Sequence, residues 1–160
     1  MGQYFLMSEN FDKCCATQFG LVPFAGPVAM NPQDRTLWVE KELYDFGAGK
    51  EYGYYKMPMP DYKALLELVL HNAERDDVYG AAAVILDEFS DDLLCLLEEM
   101  IASEEYNDDF KRLVDVFRLS SPINRCRKFG MTPEQCHRMG ERWRAVAQAA
   151  DRFLGDRDQT

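Results

Sequence analysis

Acidic side chains are the most abundant chemically active groups of this sequence, and they concentrate in its middle. Eleven acids lie between positions 87 and 115, against two basic residues. Carboxylates in the first turn of a helix are favoured by the helix dipole, which accounts without any function for Asp77, just before this region, and for Asp91, Asp92, Asp108 and Asp109 within it. A solvated surface is the ordinary explanation for each single acid, but a face of this density indicates a docking site for a basic partner. We predict that six carboxylates bind that partner: Glu98, Glu99, Glu104, Glu105, Asp108 and Asp109.

The region that follows these acids has the opposite charge. Between Arg118 and Arg144 there are seven basic residues and two acids. Arg138, Arg142 and Arg144 fall on the last predicted helix, where they can pair with the acidic helices of the same chain. Exposed ion pairs of this kind contribute only about 0–1 kcal/mol each. The sequence leaves open whether the acids meet another molecule or these arginines.

The sulfur and imidazole groups show no spacing that would support catalysis or metal binding. Neither a C-x₂-C pair nor a Cys/His pair at ligand spacing occurs, and there is no G-x-S-x-G motif. We therefore expect no catalytic residue, no metal ion and no cofactor. An odd number of cysteines argues against a disulfide framework and for the cytoplasm. The groups concerned are Cys14, Cys15, Cys95, Cys126, Cys136, His71 and His137.

One short glycine-containing stretch resembles part of a phosphate-binding loop. It reads Gly47-Ala48-Gly49-Lys50. The two glycines are too close together for that motif, and Glu51 stands where a Ser or Thr is required. We interpret the stretch as the turn of a β-hairpin.

Helical periodicity begins at position 61 and continues almost to the end of the chain. Asp61 is a predicted N-cap, and acids or Ser and Asn residues mark three further helix starts near positions 76, 90 and 107. Thr132-Pro133-Glu134-Gln135 combines an N-cap, a first-turn proline and a capping box. The last helix is predicted from Pro133 to about Leu154, with Gly155 as its end. Between the fourth and last helices, a short segment is predicted from Ser121 to Lys128.

Strands and turns are predicted for the first 60 residues, because most of the prolines and glycines lie there. Tyr4–Met7 is a predicted strand, and Phe11–Phe19 a predicted short helix. Leu21–Met30 is predicted to be an irregular or edge segment, because proline interrupts it. Thr36–Glu40 and Glu51–Lys56 predict the two strands of a hairpin, with a helical turn at Glu40–Phe46 as the alternative.

Two stretches of the helical region resemble a HEAT repeat. Asp77–Leu86, with its small residues, is similar to the first helix of such a repeat, and Leu93–Leu97 is similar to the second. The likeness covers about residues 76–117 and implies a binding scaffold without catalytic residues. We predict one domain, 1–160, of class α+β and mainly α. It would be an antiparallel bundle or HEAT-like stack of about five helices (61–155) with a small irregular hairpin region (1–60).

The net charge of −10 disfavours nucleic acid and anionic membranes as partners. In size, acidity and lack of catalytic motifs the chain is similar to the immunity proteins of bacterial toxin systems. That resemblance implies a cytoplasmic, non-enzymatic inhibitor whose partner is a basic protein, a toxin domain. Two alternatives stay open. One is a small enzyme with a cleft between the hairpin and the helices, using carboxylates or Cys14 and Cys15; the other is an oligomeric adaptor that packs through the hairpin or Met57–Pro60. The cleft of the enzyme would be lined by Tyr44, Tyr52, Tyr54 and Tyr55.

Overall fold

Five strands and five helices follow one another in the computed structural model, which describes residues 2–8, 16–45, 49–121 and 130–157. The strands are β1 (Phe5–Met7), β2 (Val22–Ala25), β3 (Val28–Met30), β4 (Leu37–Asp45) and β5 (Gly49–Lys56). The helices are α1 (Tyr62–His71), α2 (Arg75–Glu88), α3 (Ser90–Ala102), α4 (Asp108–Phe117) and α5 (Pro133–Arg157). Helices outweigh strands, so the predicted α+β, mainly α class is confirmed.

The chain divides into two units, Met1–Val84 and Ile85–Thr160. The sheet and α1 belong to the first unit, and α3, α4 and α5 belong to the second. The boundary falls inside α2. It therefore does not coincide with the change from strand-rich to helical sequence predicted near position 60.

The five strands form one antiparallel sheet in the order β1-β5-β4-β3-β2. The predicted hairpin is confirmed, and its strands are longer than predicted. Pairing runs from Trp38 opposite Lys56 to Asp45 opposite Gly49. The alternative of a helical turn at Glu40–Phe46 is therefore wrong, because residues 40–45 pair with β5 as part of strand β4.

The segment predicted as irregular or edge structure, Leu21–Met30, forms the β2–β3 hairpin at one side of the sheet. Strand β2 is the edge strand, and all four of its residues are exposed. Pro23 lies in this strand, where its missing N–H costs no ladder hydrogen bond. The register shifts between Pro23 and Ala25, which is a common irregularity at sheet edges.

One face of the sheet carries a small hydrophobic core of its own. The short 3-10 helix Ala16–Phe19 supplies Ala16 to it, and Phe19 and Tyr52 pack against it half-buried. Of the predicted helix Phe11–Phe19, only this part lies within the described residues. The buried members are Leu6, Ala16, Leu21, Ala29, Trp38 and Tyr54.

Side-chain caps begin three of the helices as predicted. Asp61 accepts a hydrogen bond from the Ala64 N–H at 2.9 Å, and Asn107 accepts one from the Phe110 N–H at 3.0 Å. At α5 the Gln135 N–H donates to Thr132 Oγ1 at 3.2 Å. The Thr132 N–H in turn donates to Gln135 Oε1 at 2.8 Å, so the capping box is complete.

The predicted end of the last helix is wrong. Gly155 lies inside α5, which continues to Arg157. Glycine in a helix interior costs about 1 kcal/mol relative to alanine but does not by itself end the helix. The segment predicted from Ser121 to Lys128 lies, beyond Ser121, outside the described residues.

Leucine and aromatic side chains fill the interior of the Ile85–Thr160 unit. The largest that are fully buried are Leu93, Leu94, Leu97, Phe110, Leu113, Phe117, Leu119 and Trp143. These positions recur at helical spacing, which places one apolar face of each helix inside. In the described part of the chain, no helix combines the length and the apolar character that a membrane span requires.

Candidate functional site

The connection between α3 and α4 presents several acids to solvent. Glu99 is in the last turn of α3, Glu104 and Glu105 follow the helix, and Asp108 begins α4; all four side chains are exposed. We call these four residues the acidic turn. Asp109, also predicted to bind the partner, lies one residue further on and is half-buried.

Backbone hydrogen bonds fix the shape of the acidic turn. The Glu105 N–H donates to the Met100 carbonyl at 2.9 Å, and the Glu104 N–H donates to the Ile101 carbonyl at 3.2 Å. This pair is a Schellman motif, which normally has glycine at the left-handed position. Here Glu104 occupies that position with φ of +55°. The left-handed conformation costs a residue with a side chain about 1 kcal/mol or more.

The helix dipole also works against the acids that end α3. A helix C-terminus carries partial negative charge, so basic residues are favoured there and acids are not. The last turn of α3 has no basic residue. Asp108 and Asp109, by contrast, lie in the first turn of α4, where the dipole favours them. Local stability therefore accounts for the two aspartates but not for Glu99, Glu104 and Glu105, and departures of this kind are expected at functional sites.

An aromatic side chain stands in the middle of the acidic turn. Tyr106 is 41% exposed. Its ring lies 5.1 Å from that of Phe110 in an edge-to-face contact and 6.0 Å from that of Phe153, nearly parallel. Phe110 is fully buried. Tyr106 is therefore held by α4 and α5 while presenting part of its surface to solvent, and sequence reasoning missed it.

Glu98 differs from the other predicted carboxylates because it is neutralised within the unit. Arg142 donates from Nε to Glu98 Oε1 at 2.7 Å and from Nη2 to Oε2 at 2.6 Å. This bidentate pair, between α5 and α3, raises the pKa of Arg142 above its usual range. We therefore leave Glu98 out of the acidic turn.

The other two arginines that could neutralise the acids pair within their own helix. Arg138 contacts Glu134 at 2.6 Å, and Arg144 contacts Glu141. Among the residues that the structure describes, no ion pair reaches Glu99, Glu104, Glu105 or Asp108. The internal alternative that the sequence left open applies to Glu98 alone in this part of the chain.

One carboxylate of the other unit accepts several backbone hydrogen bonds, although sequence reasoning assigned it only a helix-dipole role. Asp77, in the first turn of α2, is fully buried. It accepts hydrogen bonds from the backbone N–H groups of Gln3 (2.9 Å), Tyr4 (2.8 Å) and Phe5 (2.9 Å). The neighbouring Asp76 accepts from the Met7 N–H at 3.3 Å. Strand β1 is at one edge of the sheet, so it has a neighbouring strand on one side only. On its other side, the two aspartates accept the hydrogen bonds that a neighbouring strand would otherwise accept.

The packing around this contact admits only small residues. A Cβ added at Gly80 of α2 would lie within 2.6 Å of Phe5 Cδ1, and one at Gly2 would meet Asp77 Oδ1 at 2.5 Å. Every acceptor and donor in the arrangement belongs to the fold. We interpret Asp77 as a structural group that fastens the first strand to α2, because its capacity for hydrogen bonds is used internally.

The groups considered for an enzyme include two histidines and three sheet tyrosines that the structure describes. His71 and His137 are exposed on helices, near Glu67 (3.7 Å) and Glu141 (3.9 Å) of the same helix. Among the predicted cleft tyrosines, Tyr54 is buried in the sheet core and Tyr52 and Tyr55 are half-buried. Cys14, Cys15 and the Tyr44 side chain lie outside the described residues. No cluster of three or more His, Cys, Asp or Glu residues that could hold a metal ion occurs in the part of the chain that is described.

Comparisons with protein-family models, curated proteins and solved structures find no match to this chain. Its function is therefore inferred from the geometry of its own residues.

Proposed function

We propose that this chain is a non-enzymatic protein-binding module that docks a basic partner protein on the acidic turn of the Ile85–Thr160 unit. The observation that carries the proposal is the exposure of Glu99, Glu104, Glu105 and Asp108 around Tyr106. The helix dipole disfavours the three glutamates, and the left-handed backbone also disfavours Glu104.

Charge and aromatic surface have different parts in such a contact. Exposed carboxylates steer a basic partner toward the surface and set its orientation. A half-exposed tyrosine that is already held in place supplies apolar contact area at little entropic cost, and tyrosine is enriched among the residues that dominate binding energy. The connection between α3 and α4 presents both kinds of surface, the carboxylates of the acidic turn and the ring of Tyr106.

A narrower form of the proposal names the partner as a toxin. An acidic surface can cover the basic active site of a nuclease by occupying the place of the phosphates, as the resemblance to immunity proteins implied. The HEAT-like stacking of residues 76–117 is likewise proposed. It is supported by the likeness of the sequences Asp77–Leu86 and Leu93–Leu97 to the two helices of such a repeat.

The first test is capture of a partner from the native source by the immobilised chain. The wild type is compared with Glu104→Gln/Glu105→Gln and with a charge-matched control, Glu67→Gln/Glu134→Gln, which removes two exposed acids elsewhere. We expect a basic protein that the wild type and the control retain at low salt and that the acidic-turn variant loses. Retention should fall between about 0.1 M and 1 M salt, because the screening length shrinks from about 10 Å to about 3 Å.

The contribution of Tyr106 is tested separately, by titration with the captured protein. Tyr106→Ala should weaken binding by about 30-fold or more, the effect typical of a residue that dominates an interface, whereas Tyr106→Phe keeps the ring contacts and should change it little. A captured partner whose binding ignores salt, Glu104 and Glu105 would show that the acidic turn is not the docking surface. Nuclease assays of the captured protein, with and without the chain, test the toxin form of the proposal.

A further inference from the structure

A cavity of about 280 Å³ opens on the sheet of the Met1–Val84 unit, on the face that carries the small hydrophobic core. This volume lies just below the usual range for ligand pockets, about 300–1,000 Å³, so only a small ligand would fit. Every residue that lines it lies in this one unit and within the described ranges. They are Gly2, Gln3, Tyr4, Leu6, Phe19, Leu21, Asn31, Asp34, Trp38 and Lys56.

The floor of the cavity is one row of the sheet. Trp38 on β4 lies opposite Lys56 on β5, and the Lys56 N–H donates to the Tyr4 carbonyl at 2.9 Å. Residues opposite each other in neighbouring strands project to the same face. Lys56 therefore stands between two aromatic residues. Phe19, which is half-buried, adds apolar surface beside them, and the buried Leu6 and Leu21 lie beneath.

The rim is formed by the connection between β3 and β4, whose shape is fixed by its own hydrogen bonds. Asn31 closes this connection with its backbone, since its N–H donates to the Thr36 carbonyl at 2.9 Å, and its side chain accepts from the Gln33 N–H at 2.9 Å. Asp34 Oδ1 accepts from the Thr36 N–H at 2.9 Å and from Thr36 Oγ1 at 2.6 Å. Thr36 Oγ1 in turn accepts from Trp38 Nε1 at 3.0 Å, which fixes the indole.

Two charges at the cavity have capacity for further partners. Both hydrogen bonds to Asp34 reach Oδ1, and Oδ2 accepts none within the described residues. The hydrogen bonds from the Thr36 side chain and backbone, followed by the charge of Lys56, lower the pKa of Asp34, so this carboxylate is ionised at neutral pH. Lys56 is half-buried, and its ammonium group forms no ion pair in the described part of the chain.

From this arrangement we infer that the cavity binds a free aromatic α-amino acid. Lys56 would bind the ligand carboxylate, Asp34 Oδ2 would accept from its ammonium group, and its ring would lie against Trp38, Phe19 and Leu21. A ligand with one charge would leave either the lysine or the aspartate without a partner. An aliphatic ligand would lack the aromatic ring contacts and should bind about 2- to 10-fold more weakly.

The inference is tested by calorimetric titration of the full chain with phenylalanine. We expect saturable binding with one site. In the wild type, 3-phenylpropionate (no ammonium group) and phenethylamine (no carboxylate) should each bind about tenfold or more weakly, because each loses one charge-assisted contact. Leucine should also bind more weakly than phenylalanine.

The protein side of each contact is tested with matched variants. Lys56→Gln should weaken phenylalanine binding by about tenfold. It should also weaken the binding of 3-phenylpropionate, because that ligand's carboxylate loses the same contact. Asp34→Asn should weaken phenylalanine but not 3-phenylpropionate. Lys63→Gln, an exposed lysine on α1, is the charge control and should bind as the wild type does. The ligand analogues need no variant, so they decide the matter even if a substitution at Lys56 prevents folding.

Three results would overturn the inference: no heat of binding with phenylalanine at millimolar concentration, equal binding of the two single-charge analogues and phenylalanine, or unchanged affinity in a folded Lys56→Gln variant. None of these results would affect the acidic turn, which lies in the other unit and is tested with a protein partner.

Discussion

Two groups of carboxylates, one in each unit, differ in what surrounds them. Asp77 and Asp76 in the first unit accept backbone N–H groups of the first strand, and Asp77 is removed from solvent. The acidic turn of the second unit faces solvent, and its glutamates lie where the helix dipole opposes them. Both groups are runs of acids near helix ends in the sequence. The difference indicates that the first group maintains the fold and that the second is available for binding.

The largest expected effect is the loss of the buried charge. We predict that Asp77→Asn lowers the free energy of unfolding by about 2–4 kcal/mol, because buried N–H groups that lose a charged acceptor carry a full desolvation cost. The asparagine keeps one acceptor oxygen, so its amide N–H₂ group faces at least one of the three N–H donors that the two carboxylate oxygens share. Urea unfolding gives the energy, and hydrogen exchange at the amides of Gln3, Tyr4 and Phe5 should accelerate. Glu105→Gln is the matched exposed change and should stay within about 0.5 kcal/mol of the wild type; similar losses in both variants would remove the distinction between the two groups.

The packing that accompanies Asp77 gives the next largest effect. Gly80→Ala should destabilise by about 1–3 kcal/mol, because the added methyl overlaps the ring of Phe5. Gly155→Ala, in open space on α5, should stabilise by up to about 1 kcal/mol. In a Phe5→Ala background, which removes the Phe5 Cγ and Cδ1 atoms that the methyl meets, the cost of Gly80→Ala should fall, since residues in contact show non-additive energies. An additive result would mean that Phe5 is not the obstacle.

On the exposed side of the comparison, a substitution should stabilise the fold. Glu104→Gly should raise the free energy of unfolding by about 1 kcal/mol, because glycine adopts the left-handed conformation without a Cβ penalty. The same change should weaken binding of the captured basic partner. Thermal unfolding and the partner titration measure the two effects on one variant. Glu105→Gly, one residue on, lacks the positive φ and should not stabilise; if it does, helix-dipole relief and not backbone conformation is responsible.

Local sequence signals were sufficient for most of the elements. Asp61, Asn107 and the Thr132–Gln135 capping box specify helix starts through contacts within four residues, and the structure has all three. The strand pairing of the hairpin was also predicted, although its length was not, because glutamate and lysine at positions 40–42 carry little strand preference.

The distant contacts could not be predicted. The partners of Asp77 are more than 70 residues away in sequence, and Arg142 is 44 residues from Glu98. A run of acids looks the same whether a strand edge, an arginine or solvent lies opposite. For this reason Asp77 was assigned a dipole role, Glu98 was grouped with the acids of the turn, and Tyr106 was not singled out.

Asp77 differs from the acidic turn both in its burial and in its hydrogen bonds. Asp34 separates these two differences, because it is exposed and yet hydrogen-bonded. The Thr36 hydrogen bonds lower its pKa in the folded chain, so its ionised form contributes stability above its unfolded pKa, near 4. That contribution should be lost as the pH falls through the lower, folded value. We predict that Asp34→Asn is less stable than the wild type at neutral pH and that the difference shrinks below about pH 4. Urea midpoints measured across this range test it, and in a Thr36→Val background the difference should be smaller at every pH. If Asp34→Asn matches the wild type at neutral pH, hydrogen bonds to an exposed carboxylate contribute nothing here, and burial alone distinguishes Asp77 from the acidic turn.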